Sequence, residues 1–239
     1  HADTKALNTQ LEDANKLLEA KIELIKAQNA ELETAREALA KNFDHSLELC
    51  YRIINAFHPL LGKETKAIVD ICQLMNESGA LSPEEQQQLR VAAWLQNIGL
   101  IGISRDVLLK SRKNPEQLTL SEQNLILNHP IYGQTLASFF DGMEAVGSVI
   151  RAHHEKWDGS GYPLGLAGDA IPLSARLMAL ADVYDALISK RVYKAAMTHE
   201  QAVAIMSRGR GGHFDPDILD AFLLCQDDFR AIAQQYSDD

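Results

Sequence analysis

The stretch His153-His154-Glu155-Lys156-Trp157-Asp158-Gly159-Ser160-Gly161-Tyr162-Pro163 decides how this chain is read. Two adjacent histidines leave the apolar segment Val149-Ile150-Arg151-Ala152 and run into a loop. The motif's own glycines and proline, followed by Gly165, Gly168 and Pro172, keep that loop out of a helix. Paired histidines are poor core residues, because each buried imidazole needs a hydrogen-bond partner. They are good metal ligands. The loop beside them forms one wall of a site.

Working outward, His129 opens His129-Pro130-Ile131-Tyr132-Gly133 after Asn128. Downstream, Ala179-Leu180-Ala181-Asp182-Val183-Tyr184-Asp185-Ala186-Leu187 has the pattern of a helix that is apolar almost all round. Asp182 and Asp185 stand at i and i+3 and share a face. A carboxylate in so apolar a helix needs a cation, a ligand role or a hydrogen-bond donor.

The pattern elsewhere is helical. Helices are expected over Leu47 to Phe57, Glu64 to Met75 and Glu84 to Ile98. The last is opened by Ser82-Pro83-Glu84-Glu85 and stopped by Gly99. Leu118-Thr119-Leu120-Ser121-Glu122 leads into the helix bearing His129. Phe214-Asp215-Pro216-Asp217 reads as another helix start, with Asp215 as cap. No alternating strand pattern occurs, so the expected fold is all-α, a helical domain preceded by a long N-terminal coiled-coil helix.

Asn128-His129-Pro130, the motif at 153–163, the helix at 179–187, Arg191-Val192-Tyr193-Lys194 and Gly212-His213-Phe214-Asp215-Pro216 together resemble the HD-GYP family. The resemblance covers residues from about 45 to 225. It implies an all-helical domain of the HD superfamily of metal-dependent phosphohydrolases. Its active members hydrolyse cyclic di-GMP at a two- or three-metal centre, commonly of iron or manganese. On this resemblance His129, His153, His154 and Asp182 match metal-binding positions. Arg191 and Lys194 match the substrate-binding cations, and Gly161, Tyr162 and Pro163 match the loop associated with contacts to diguanylate cyclase domains.

The chain departs from the family pattern at four positions. Gln96 stands where active members carry histidine, and Asn97 where they carry the metal-bridging aspartate. Leu100 replaces a phosphate-contacting lysine. Glu64, five residues after Pro59, replaces a ligand histidine. Asparagine offers a neutral carbonyl oxygen and cannot supply negative charge to two dications at once. Glu64 suits a hard cation, and Gln96 or Asn97 could ligate one weakly. The expectation is one lost metal site and one retained site of three imidazoles, fit for a single Zn, Fe, Mn or Ni ion, or for none.

Each retained residue also has a plainer reading. His129 also fits a helix-capping or core histidine, and Asp182 a hydrogen-bond partner to a histidine or to backbone. Arg191 and Lys194 fit ordinary surface charge. Gly159, Gly161 and Pro163 fit a turn. His45, His58, His199 and His213 are read as structural or exposed.

Composition bounds the partners. The 239 residues carry a formal net charge of −10, which argues against a nucleic-acid polymer but not against a small dinucleotide held by local cations. No apolar run reaches the ~18–20 residues of a membrane span. Cys50, Cys72 and Cys225 lack CxxC spacing and read as reduced core residues of a cytoplasmic protein. The chain begins at His1 within a helical pattern, so a longer parent protein is expected.

Residues 5–42 lack Gly and Pro, and Leu11, Leu18, Ile25, Leu32 and Leu39 recur every seven residues. With these at d, the a positions are Asn8, Asn15, Ile22, Asn29 and Arg36. Leucine at d with asparagine at a suggests a parallel two-stranded coiled coil and hence a homodimer. The alternative is a solvated helix. The expected organisation is a coiled-coil signalling helix at 1–44 and an HD-GYP-like domain at 45–239. In the family such a helix often follows a receiver domain.

Two functions stand open at this point. One is a degenerate output module that binds a partner or cyclic di-GMP without efficient hydrolysis. The other is a residual metal-dependent phosphodiesterase with an altered ligand set.

Overall fold

A computed structural model of the chain describes residues 2–77, 81–140, 142–190 and 195–237. Its elements are helices, and among the described residues no β-strand is present beyond two isolated bridges. The all-α expectation holds. The chain divides into two compact units, His1–Glu48 and Leu49–Asp239.

The first unit lies within helix α1, Ala2–Phe57. The absence of Gly and Pro from residues 5–42 leaves nothing to interrupt it. The heptad side chains Leu11, Leu18, Ile25, Leu32 and Leu39 are all more than half exposed. Sequence patterning separated Leu47 to Phe57 as its own helix, whereas the chain continues α1 through it without a break.

The second unit contains α2 (Pro59–Glu77), α3 (Pro83–Leu95), α4 (Arg105–Lys113), α5 (Leu120–Leu127), α6 (His129–Ala137) and α7 (Glu144–Ala152). It continues with α8 (Leu173–Ile188), α9 (His199–Ser207), α10 (Pro216–Leu224) and α11 (Gln226–Ser237). Several starts are written locally. Ser82 and Glu85 form a reciprocal capping box on α3, as do Thr119 and Glu122 on α5 and Thr198 and Gln201 on α9. Asp215 caps α10 with Pro216 in its first turn.

Helices α2, α3, α7 and α8 pack together, and α6 packs on α7. Ile68, Ile71, Leu89, Ile150, Met178, Leu180 and Tyr184 are buried there. Burying each large aliphatic side chain is worth roughly 1.5–3 kcal/mol, so this cluster is the main source of the unit's stability.

The expected helix to Ile98 ends earlier, at Leu95. Gln96 closes it, and the chain tightens into one turn of 3-10 helix, Ile98–Leu100. The reason is a close approach. A Cβ on Gly99 would lie 2.1 Å from the His129 carbonyl oxygen and 2.8 Å from the Gly133 nitrogen. Only glycine allows this turn to rest directly on the backbone of α6.

Candidate metal centre

The packing of α6 against α7 brings three imidazoles together. His129 is the first residue of α6, His153 caps the end of α7, and His154 follows it. One ligand atom from each lies within 4.8 Å of the others. The ring centroids are 5.3 Å apart for His129–His153, 5.1 Å for His129–His154 and 4.0 Å for His153–His154.

Two of the rings are oriented by the same device. His129 Nδ1 lies 2.7 Å from the Ile126 carbonyl oxygen, and His153 Nδ1 lies 2.6 Å from that of Ile150. A carbonyl only accepts, so Nδ1–H donates and the lone pair of the neutral ring falls on Nε2. His129 Nε2 is buried without a hydrogen-bond partner. Burial, with the charge of a neighbouring histidine second, lowers the pKa of His129 and of His154 to about 3. The same causes push His153 well below its ordinary value. The rings are therefore neutral at pH 7, and each offers an unprotonated nitrogen to the same small cluster. This donor set fits a metal ion, because a buried nitrogen lone pair without a donor is costly until something electrophilic occupies it.

Asp182, on α8, sets one carboxylate oxygen 3.8 Å from His154 Nδ1. Asp185, its i+3 companion, is fully buried and accepts a hydrogen bond from the Ser189 hydroxyl at 2.6 Å. The shared face expected from the sequence thus serves two ends, one toward the histidines and one inside the helix.

The loop after His154 is locked to the centre. The Tyr162 ring stacks on His154 at 4.9 Å, and Tyr162 N donates to the His154 carbonyl at 3.2 Å. Glu155 is buried, and its two carboxylate oxygens accept from Leu164 N at 2.7 Å and Leu166 N at 3.1 Å. Gly161 has no room for a side chain, since a Cβ would meet the backbone of Lys156 at 2.3 Å and of Glu155 at 2.5 Å. The Tyr162–Pro163 peptide bond is cis. Trp157 N and Asp158 N donate to the carbonyls of His213 and Gly212, tying the loop to the segment before α10. Arg176 braces the same region, with Nη1 2.7 Å from Asp215 and its guanidinium over the Trp157 ring.

The four departures lie on α2, at the cap of α3 and in the 3-10 turn that follows it. Leu100 is buried in an apolar cluster with Ile54, Leu61, Ile103 and Leu108. Asn97 Nδ2 reaches Thr65 Oγ1 at 3.5 Å, at the outer limit of a hydrogen bond. Glu64 is engaged by Arg112 of α4 through both guanidinium nitrogens, with Nη2 2.6 Å from Oε2. Gln96 is buried with neither amide atom hydrogen-bonded. Glu64, read from sequence as a hard-cation ligand, is thus committed to an arginine. Arg191 and Lys194 lie outside the described residues.

Sequence reasoning missed Glu155, Arg112 and Arg176. Glu155 was within reach: a carboxylate placed directly after two inward histidines is drawn into the interior and needs donors there. Arg112 carries no local signal, because its partner is 48 residues away.

Comparison with known proteins places the chain in a family. A family model described as HD domain matches residues 48–218, and the chain belongs to that family, in its HD-GYP branch. It is 49% identical over 167 residues to a probable cyclic di-GMP phosphodiesterase of Vibrio cholerae, covering 66% of this chain and 37% of that protein. It is 43% identical over 169 residues to a cyclic di-GMP phosphodiesterase response regulator of Xanthomonas campestris, covering 70% of this chain and 44% of that one. The chain thus spans less than half the length of these relatives. Among solved structures, a cyclic GMP-AMP specific phosphodiesterase of V. cholerae aligns with a TM-score of 0.53 at 21% identity, over 73% of this chain and 48% of that one. That likeness shows a shared fold. No helix among the described residues is long and apolar enough to cross a membrane.

Proposed function

We propose that this chain is an HD-GYP signalling output module that has lost efficient hydrolysis of cyclic di-GMP and acts by binding a partner or the nucleotide. The observation that carries this reading is the state of three of the four departing positions, Glu64, Asn97 and Leu100. In the family pattern they supply metal ligands and a phosphate contact. Here Leu100 fills an apolar cluster, Asn97 leans on Thr65, and Glu64 is held by Arg112. Each is engaged in holding helices together.

The retained half keeps a narrower chemistry. His129, His153 and His154 would hold one divalent ion, of Zn, Fe, Mn or Ni, with Asp182 beside His154. Such an ion, when bound, lowers the pKa of a water ligand from 15.7 toward about 7. The chain's own contribution is to keep the imidazoles neutral, aim them through the Ile126 and Ile150 carbonyls, and hold Tyr162 over His154. On the family match Arg191 and Lys194 would receive phosphate oxygens. Leu100 offers no cation there.

Around this centre the reading is a homodimer joined through the N-terminal helix, downstream of a receiver or sensor domain. The loop at Gly161, Tyr162 and Pro163 is the surface for a diguanylate cyclase domain. The intact His153–Pro163 half, together with the relatives named as phosphodiesterases, supports a second reading, a residual phosphodiesterase working with an altered ligand set.

The deciding experiment is reconstitution with Fe or Mn under reducing, anaerobic conditions, followed by a cyclic di-GMP turnover assay. The expected result is no multiple turnover. Sustained hydrolysis that disappears in His153→Ala would replace the first reading with the second.

A further inference from the structure

The coiled-coil register of residues 11–39 can be carried forward along α1. Counting sevens, the next d positions are Ser46 and Ile53, and the next a positions are Phe43 and Cys50. Beyond Arg36 every a or d residue except Ser46 is therefore apolar. Ile53 is 50% exposed, and its flanking g residue Leu49 is 58% exposed. Cys50 is half-buried. The adjacent Ile54 points the other way and is fully buried in the cluster with Leu61 and Leu108. Phe57, the next a residue, packs against that same cluster. The seam therefore has a defined end at Ile53.

We infer that the dimer seam runs past the N-terminal unit to Ile53, so that Leu49, Cys50 and Ile53 of one chain meet the same residues of a second copy in parallel register. This rests on the homodimer proposed above and adds where the interface ends. A second copy is the occupant that the pattern fits. A seven-residue repeat kept in phase along one helix matches another helix of the same repeat, and asparagines at a favour parallel alignment in register. The area agrees. The nine apolar a and d side chains from Leu11 to Ile53, at about 100 Å² each, offer on the order of 900 Å² per copy, close to what each partner gives a standard interface. A parallel in-register pair places each Cys50 opposite its counterpart, within the roughly 7 Å of Cα separation that a disulfide can span.

The test uses the whole chain carrying Cys225→Ser, since Cys72 is buried. Diamide takes two protons and two electrons from a pair of thiols as their sulfurs join. The expected result is a covalent dimer on a non-reducing gel, absent in Cys50→Ser. Ile53→Glu should weaken dimerisation at least about tenfold by sedimentation, with unchanged helicity. Ile53→Ala gives the same reading, more mildly, should the glutamate variant fail to fold. A chain that is dimeric by light scattering, yet does not cross-link at Cys50 and tolerates Ile53→Glu, would overturn the extended seam and leave the homodimer standing. A monomeric chain would overturn both.

Discussion

Glu64 and Arg112 form a two-pronged ion pair between α2 and α4, with Arg112 Nη2 2.6 Å from Glu64 Oε2. Both side chains are less than a fifth exposed. Breaking a pair sheltered to this degree leaves a poorly solvated charge behind. Restoring the family's histidine by Glu64→His alone should therefore destabilise the protein, by about 2–3 kcal/mol in urea unfolding. Pairing that change with Arg112→Gly should recover much of the loss. A single variant as stable as the parent would show that the pair contributes little.

Metal content should follow the imidazoles and not the departing positions. We expect at most one tightly held ion per chain by elemental analysis, removed by His153→Ala. Gln96→His with Asn97→Asp should raise metal content before it raises any rate, because Glu64 and Leu100 still depart from the family pattern. Two ions per wild-type chain would contradict the engagement of Glu64 by Arg112.

The chelated protein should be acid-sensitive. The pKa values of His129 and His154 are lowered by burial to about 3, below the ~6.5 of an unfolded histidine. A folded-state pKa below the unfolded one means that the stability is fully present above about pH 6.5 and is lost as pH falls toward 3. Between pH 7.5 and 5 each such histidine should cost roughly 2 kcal/mol. Urea melts at those two pH values measure it, and His129→Asn should flatten the difference. An equal slope in that variant would place the acid sensitivity elsewhere.

Gly161→Ala should disorganise the loop. The added methyl would stand 2.3 Å from Lys156 N and 2.5 Å from Glu155 Cα, both backbone atoms with little room to yield. A loss of about 2–3 kcal/mol is expected, typical of overpacking against rigid neighbours. Tyr162 should leave His154 in the same variant, visible as altered imidazole resonances by NMR. Unchanged resonances would mean that the loop absorbs the methyl.

Much of this molecule is local and was therefore readable. Ser82 with Glu85 and Asp215 with Pro216 announce helix starts within four residues, because capping is a contact between near neighbours. His153 and His154 announce themselves because paired imidazoles have few uses inside an apolar helix end. The convergence of His129 on them is different. Nothing in residues 129–154 states a distance, and only the packing of α6 on α7 brings the three rings within reach of one ion. Glu64 shows the same limit more sharply. Alone it reads as a carboxylate free to take a cation, and 48 residues later Arg112 reads as one charge in a basic run. Side-chain chemistry and short-range periodicity are properties of the sequence. Which buried charge meets which is decided when helices pack, since desolvation forces each charge to a partner wherever in the chain that partner lies.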